Sequence, residues 1–409
     1  MVNVSERAAE VGTRSPGEQL IVEANALDTA SNDETDLSTV FAEPAATMQR
    51  FLENVSEDLR SPLTVLKEFT SIILDGLAGE VPIRQQEYLQ VIAESVEELE
   101  AMVGSLIDVS RLDAAMVGAY RRLCGASELV APLRMKLEKK AAVHHARFEV
   151  CVADDLPTLF CDPDQTARVI THLVTHAFRN AGMNGRVHLR VRRADDDMSS
   201  VVCEIKDDGP AIPSEKLRLI QERFRSNDHG ACASVADLDL SLTVTMQLVD
   251  LNLGEIVVSS GPGQGTVFSF TLPAAEPLML AQRFLRYSAR LRGGLTMAAM
   301  YVIRINETAD AATLADIGSF LQHHLRRTDL VFPIEPHAWL VLLPIVGKDT
   351  GVMMRRLEDA WSESNANRPG RSLPRLSVES RGCWDIEQQG GELVNQLRRL
   401  LDACQQTSM

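Results

Sequence analysis

His172 and His176 stand four residues apart in the run Val169-Ile170-Thr171-His172-Leu173-Val174-Thr175-His176-Ala177. On a helix that spacing puts both imidazoles on one face, a geometry zinc can use. Asp162 or Cys161 is the conceivable further ligand, but a packed histidine pair is the simpler reading and no metal site is expected. Further along, Asp207-Asp208-Gly209-Pro210-Ala211-Ile212-Pro213 follows an apolar run. There Asp207 either caps a turn or offers a carboxylate to a ligand. Asp237, Asp239 and Ser241 bring two more carboxylates and a hydroxyl into a third segment. The adjacent pairs His144-His145 and His323-His324 each point to different faces and lack metal-ligand spacing. Cysteines 124, 151, 161, 203, 232, 383 and 404 lack disulfide or zinc spacing and read as reduced thiols, mostly small core residues.

The elements that position these groups follow from periodicity. Leu52, Val55, Leu59, Leu63, Leu66, Phe69 and Ile73 recur at spacings of three and four, as do Leu89, Ile92, Val96, Leu99, Val103 and Leu106. These are two helices sharing a coiled-coil seam, with Pro62 expected to bend the first. The segment 75–82, with Gly76, Gly79 and Pro82, suits a hairpin turn between them. Two helices cannot bury such a seam alone, so a homodimeric four-helix bundle is expected. Strands are expected within 143–152, 187–191, 201–205, 255–260 and 266–272, with helices over 164–180 and 240–251. After a linker at 274–277, a second α/β unit follows. Its strands are read at 297–305, 340–343 and about 374–378, and its helices at 311–326, 349–363 and 391–404.

The fold class is therefore α+β and multidomain. The reading gives an acidic mobile tail over 1–45, a helical hairpin over 46–119, an α/β sandwich over 120–275 and a C-terminal α/β domain over 276–409. The net charge of −16 argues against nucleic-acid partners. Arg121-Arg122, Lys139-Lys140 and Arg326-Arg327 are isolated basic spots. No apolar run is long enough for a membrane span, and the start does not read as a signal peptide, so a cytoplasmic location is expected. Phe224 and Trp339 are expected in the core or an interface.

Several of these segments, in this order, resemble sensor histidine kinases over about residues 46–274. The helix carrying Ser56-Glu57-Asp58-Leu59-Arg60-Ser61-Pro62-Leu63 is similar to the family's phospho-acceptor helix, with Glu57 where the reactive histidine is expected. The helix of His172 and His176 resembles the one that carries two metal- and phosphate-binding asparagines. Asp207 to Pro213 resembles the family's Asp-x-Gly-x-Gly-Ile turn, with Ala211 at the second glycine. Ile220-Gln221-Glu222-Arg223-Phe224 resembles the segment beyond it. Gly261-Pro262-Gly263-Gln264-Gly265-Thr266-Val267-Phe268 is similar to the last hairpin. Asp237, Asp239 and Ser241 occupy positions of a glycine-rich phosphate loop.

The resemblance implies an ATPase-like domain whose chemical positions have changed. A carboxylate at 57 cannot carry histidine phosphotransfer, so no catalytic residue is expected. Magnesium prefers oxygen ligands to imidazole. Two like charges about 4 Å apart cost roughly 4 kcal/mol at an effective dielectric near 20, against about −8 kcal/mol for micromolar binding. His172, His176, Asp207, Gly209, Ala211, Asp237, Asp239 and Ser241 are then a remnant nucleotide site. Retained Asp207 and Gly209 leave room for a purine. The expected function is an inactive dimeric signalling scaffold without cofactor. Its partner would be a response regulator or an active histidine kinase, docking near Asp58 and Arg60. The alternatives are an active phosphotransferase using ATP and magnesium, and a sensor of a nucleotide-like effector.

Residues 326–344 bear a fainter resemblance to diguanylate cyclase domains. There Glu335-Pro336-His337-Ala338-Trp339 occupies the Gly-Gly-Asp-Glu-Phe hairpin and Arg304 the place of a metal-binding aspartate. This resemblance implies a cyclase-like fold over about 283–405, without nucleotide condensation.

Overall fold

The computed structural model describes residues 58–86, 88–93, 95–96, 99, 103, 118–195, 197, 199–226, 240–290, 296–305, 309–326, 328–345, 351–366 and 374–407. The acidic tail, Glu57, Cys232, Asp237 and Asp239 lie outside these residues. Among the described residues, no helix is long and apolar enough to cross a membrane.

Helix α1 covers 58–74 and runs on through Pro62; after a turn at 75–78, α2 begins at 83. Leu63 and Val96 are buried, yet Leu59, Leu66, Phe69, Ile92 and Leu99 are exposed. Phe69 keeps 62% of its surface in solvent. One copy of the hairpin thus leaves much of its apolar seam uncovered, which at about 25 cal/mol per Å² is a large driving force for a covering surface.

The middle domain holds β1 (Arg122–Cys124), α3 (Ala126–Val143), β2 (Arg147–Val152), β3 (Leu159–Cys161), α4 (Pro163–Ala181), β4 (Arg186–Arg193) and β5 (Ser200–Asp207). It continues with α5 (Ser214–Ser226), α6 (Leu240–Leu251), β6 (Ile256–Gly261) and β7 (Gly265–Pro273). Its sheet has the order β2-β4-β5-β7-β6, with only β2 and β4 parallel. Burial alternates along β4, β5 and β7, because neighbouring side chains in a strand face opposite ways. The inward set (Val187, Leu189, Val191, Ile205, Phe268, Phe270) packs with Ile170, Leu173, Val174 and Ala177 of α4. Helix α4 begins where Asp162 accepts hydrogen bonds from the amides of Asp164 and Gln165 beside Pro163, a strong start signal.

The C-terminal domain runs α7 (Pro277–Arg290), β8 (Met297–Ile305), α8 (Ala311–His324), β9 (Leu330–Glu335), β10 (Ala338–Ile345), α9 (Gly351–Ala366), β11 (Leu376–Asp385) and α10 (Ile386–Thr407). Its sheet, ordered β11-β8-β10-β9, is antiparallel throughout. Strand parity divides two cores. Tyr301, Ile303, Val341 and Leu343 face Ile317 and Leu321 of α8 and Leu357 and Trp361 of α9. Ala298, Met300, Leu340 and Leu342 face Phe284 of α7 and Leu393 and Leu397 of α10.

That second core is continuous with the core of the middle domain. Residues 274–277, read from sequence as a linker, are a seam. Ala274 is buried, its amide bonds the Ser199 carbonyl at 2.8 Å, and the Ala275 amide bonds the Thr158 carbonyl at 2.8 Å. Phe160 of β3 meets Phe332 of β9 edge-to-face at 5.0 Å. Buried Arg121 donates to the Leu251 carbonyl at the end of α6, through Nε at 2.8 Å and Nη2 at 2.5 Å. Its own carbonyl accepts from Gln322 of α8 at 2.7 Å. Of the cysteines, Cys124, Cys161, Cys203 and Cys404 are buried as expected, whereas Cys151 is exposed on β2 at the sheet edge.

Candidate functional site

Of the residues read as a remnant nucleotide site, Asp207, Gly209 and Ala211 lie at and just beyond the end of β5. Asp207 is its last residue and is 1% exposed. Oδ1 accepts from the Gly209 amide at 3.0 Å, so the carboxylate does cap its own turn. Oδ1 also accepts from Asn180 Nδ2 at 2.7 Å. Oδ2 is buried and accepts no hydrogen bond among the described residues. Burial pushes the Asp207 carboxyl above its usual range, while Asn180 and the amides of Gly209 and Thr266 pull the other way. An unmet buried acceptor of this kind costs about 1–3 kcal/mol.

Sequence reading missed Asn180. It lies four residues beyond His176, so His172, His176 and Asn180 follow one helix face, and the i+4 step was the available signal. Its long-range bond to β5 was not legible. Asn180 Nδ2 also reaches the Pro210 carbonyl at 3.3 Å, tying α4 to the turn.

Both histidines are half-buried on α4. The His176 ring meets Phe268 of β7 edge-on, with centroids 5.3 Å apart and planes at 78°. His176 therefore takes part in packing, as a histidine pair turned toward the sheet would.

The retained glycines have steric reasons. A Cβ on Gly209 would lie 2.2 Å from the Asn180 carbonyl oxygen. At Gly265, with φ +74°, it would lie 1.8 Å from the Asp207 carbonyl oxygen. Both hold the turn against its neighbours whether or not a ligand binds. Ala211 is half-buried, and next to it the Ile212 amide donates to Ser260 Oγ at 3.0 Å, fastening the turn to the β6–β7 hairpin. Ser241 falls in the first turn of α6. Asp58 and Arg60 are exposed on α1.

The α4 face at this end carries two imidazoles, a donor type that suits magnesium poorly.

In the C-terminal domain, Arg304 on β8 donates to Glu335 Oε2 at 2.9 Å. Arg304 and Glu335 thus neutralise each other across the sheet. Trp339 is core, as expected.

Residues 47–115 match the family described as the His Kinase A (phospho-acceptor) domain. Residues 161–276 match the Histidine kinase-, DNA gyrase B-, and HSP90-like ATPase family. Over these two matched segments, in that order, the chain is similar to sensor histidine kinases, within an α+β multidomain architecture. It is 27% identical over 225 residues to the circadian input-output histidine kinase CikA of Synechococcus elongatus, covering 54% of this chain and 29% of that protein. It is 26% identical over 223 residues to the alginate biosynthesis sensor protein KinB of Pseudomonas aeruginosa, covering 54% and 36%. With the sensor protein DivL of Caulobacter vibrioides it shares 26% identity over 264 residues, covering 64% and 33%. The chain thus spans about a third of the length of these relatives. Among solved structures, full-length ShkA in complex with AMPPNP aligns at a TM-score of 0.39 and 19% identity, covering 60% of this chain and 48% of that one.

Proposed function

We propose that this chain is a regulator in two-component signalling that works by binding, as a dimeric scaffold without ATP turnover. Its degenerate kinase part carries a C-terminal domain that is cyclase-like in layout and equally without catalysis. The observation that carries this reading is His176 packed against Phe268, on the helix face where the resemblance calls for an oxygen ligand to magnesium. Glu57 at the phospho-acceptor position and the carboxylates of Asp237 and Asp239 point the same way. The uncovered apolar seam of α1 and α2 favours a homodimer, and exposed Asp58 and Arg60 offer a docking face to a response regulator or an active histidine kinase.

A second reading has one observation of its own. The unmet Asp207 Oδ2 favours a purine-bearing effector held without metal. Similarity to the circadian input-output histidine kinase CikA favours a third, an active phosphotransferase. Thermal unfolding of the full chain separates the three. A ligand at one hundred times its Kd adds about 2.7 kcal/mol. The scaffold predicts no nucleotide shift that is lost in the Asp207→Ala variant, the effector sensor predicts one that is lost there and is indifferent to magnesium, and the phosphotransferase predicts one that is lost there and requires magnesium.

A further inference from the structure

A cavity of about 590 Å³ opens in the C-terminal domain between the sheet and α10. Its wall carries Arg304, Arg381 and Arg399 against a single carboxylate, Glu335, in a protein whose net charge is −16. Its floor is apolar, formed by Met300, Leu400 and Ala403.

The wall is shaped by the backbone. Strand β11 pairs with β8 until Ser380 faces Tyr301; the next pair is Gly382 with Met300, so Arg381 is the extra residue of a β-bulge. Neighbours in a regular strand face opposite ways. Here Ser380 and Arg381 line the same cavity, as a bulge that re-aims a side chain allows. Gly382 makes the bulge possible. Its φ is +134°, and a Cβ there would lie 2.6 Å from the Trp384 ring.

The three guanidinium groups are held to different degrees. Arg304 is fixed by Glu335 at 2.9 Å. Arg381 pairs with exposed Glu379. Arg399 is exposed and makes no hydrogen bond or ion pair among the described residues. With Glu335 committed to Arg304, the lining carries two further positive charges: that of Arg399, and that of Arg381, which would exchange its exposed partner Glu379 for a ligand.

We infer that this cavity binds a small phosphorylated molecule, its phosphate oxygens taken by Arg381 and Arg399 and its apolar part resting on Met300 and Leu400. A guanidinium fork matches phosphate oxygens in geometry and charge. The Ser380 hydroxyl and Gln396 amide add neutral donors on the same wall. The volume lies within the range of small-ligand sites, about 300–1,000 Å³. None of these residues belongs to the Asp207 end, so the inference stands whichever function holds there.

Inorganic pyrophosphate is the probe. Calorimetric titration of the full chain, at constant ionic strength and without magnesium, is expected to give one site per chain. Arg381→Gln and Arg399→Gln should each weaken it at least tenfold and together abolish it. Both positions are exposed, so the melting temperature without probe should not change. Arg134→Gln, at an exposed ion pair on α3, should leave the affinity as it was. Absence of binding to the natural chain overturns the inference. So does binding that survives the Arg381→Gln/Arg399→Gln double variant, which would place the anion elsewhere.

Discussion

Strands β5 and β8 lie at the centres of their sheets, and their ends are finished in opposite ways. At β5, Asp207 is buried with one oxygen satisfied and the other unmet. At β8, Arg304 finds its counter-charge in Glu335 of β9, beyond the intervening β10. The first end leaves an acceptor without a donor among the described residues; the second pairs its charge within the chain, beside a cavity lined by two further arginines. Packing is kept at both ends. What differs is whether the polar groups close among themselves. Sheet architecture therefore says little about activity, while the bookkeeping of polar atoms says a good deal.

Substitutions can break this contrast. The largest effect is expected at the β5 turn. Gly265→Ala forces a Cβ into the Asp207 carbonyl and should cost about 3 kcal/mol or more in denaturant unfolding. Gly263→Ala, two residues away with φ +72° and nothing within 4 Å, should cost only about 1 kcal/mol. Equal losses would remove the claim that close approach fixes this turn.

The domain seam is the next place to press. Burial raises Asp329 from 3.8 to about 7, against the Arg326 amide and the charges of Arg326 and Arg121. The folded chain then binds a proton that the unfolded chain has lost. Its contribution is complete below about pH 4, declines as pH rises toward 7 and is flat above. Asp329→Asn should remove that part of the pH slope, worth a few kcal/mol at most, as read from denaturation midpoints between pH 4 and 8. An unchanged slope would show that Asp329 stays charged in the fold.

Smaller effects sharpen the comparison. Asp207→Asn replaces the unmet oxygen with a donor and relieves a buried charge, so stability without ligand should hold or rise by about 1 kcal/mol at neutral pH. A clear loss would mean the carboxylate is already satisfied. A double-mutant cycle over Arg304 and Glu335, about 31% and 23% exposed, should give a coupling under about 1 kcal/mol.

Much of this fold is legible in the sequence where apolar runs are long. Strand β8 and helix α6 coincide with the segments read from pattern alone. Strands β1 and β3, three residues each, are too short to carry a period, and α3 has Pro132 inside it and a weak apolar stripe. Helix α10 begins five residues before the segment read for it, because Gly390 and Gly391 look like breakers. Asp385 overrides them, its Oδ1 accepting from the Glu387 and Gln388 amides at 3.0 and 2.8 Å. At the candidate site, Asp207, Gly209 and the histidine face are legible because the chemistry sits in contiguous motifs. Asn180 and the Arg381 bulge are not, since each depends on a strand remote in sequence.

The central claim is that kinase architecture persists here without phosphate transfer. The direct measurement incubates the purified full chain with γ-labelled ATP and magnesium, alone and with a response-regulator receiver domain. The account predicts no label on either protein and no ATP hydrolysis above background. Label that appears on the chain or its partner, and disappears in the Asp207→Ala variant, would contradict it.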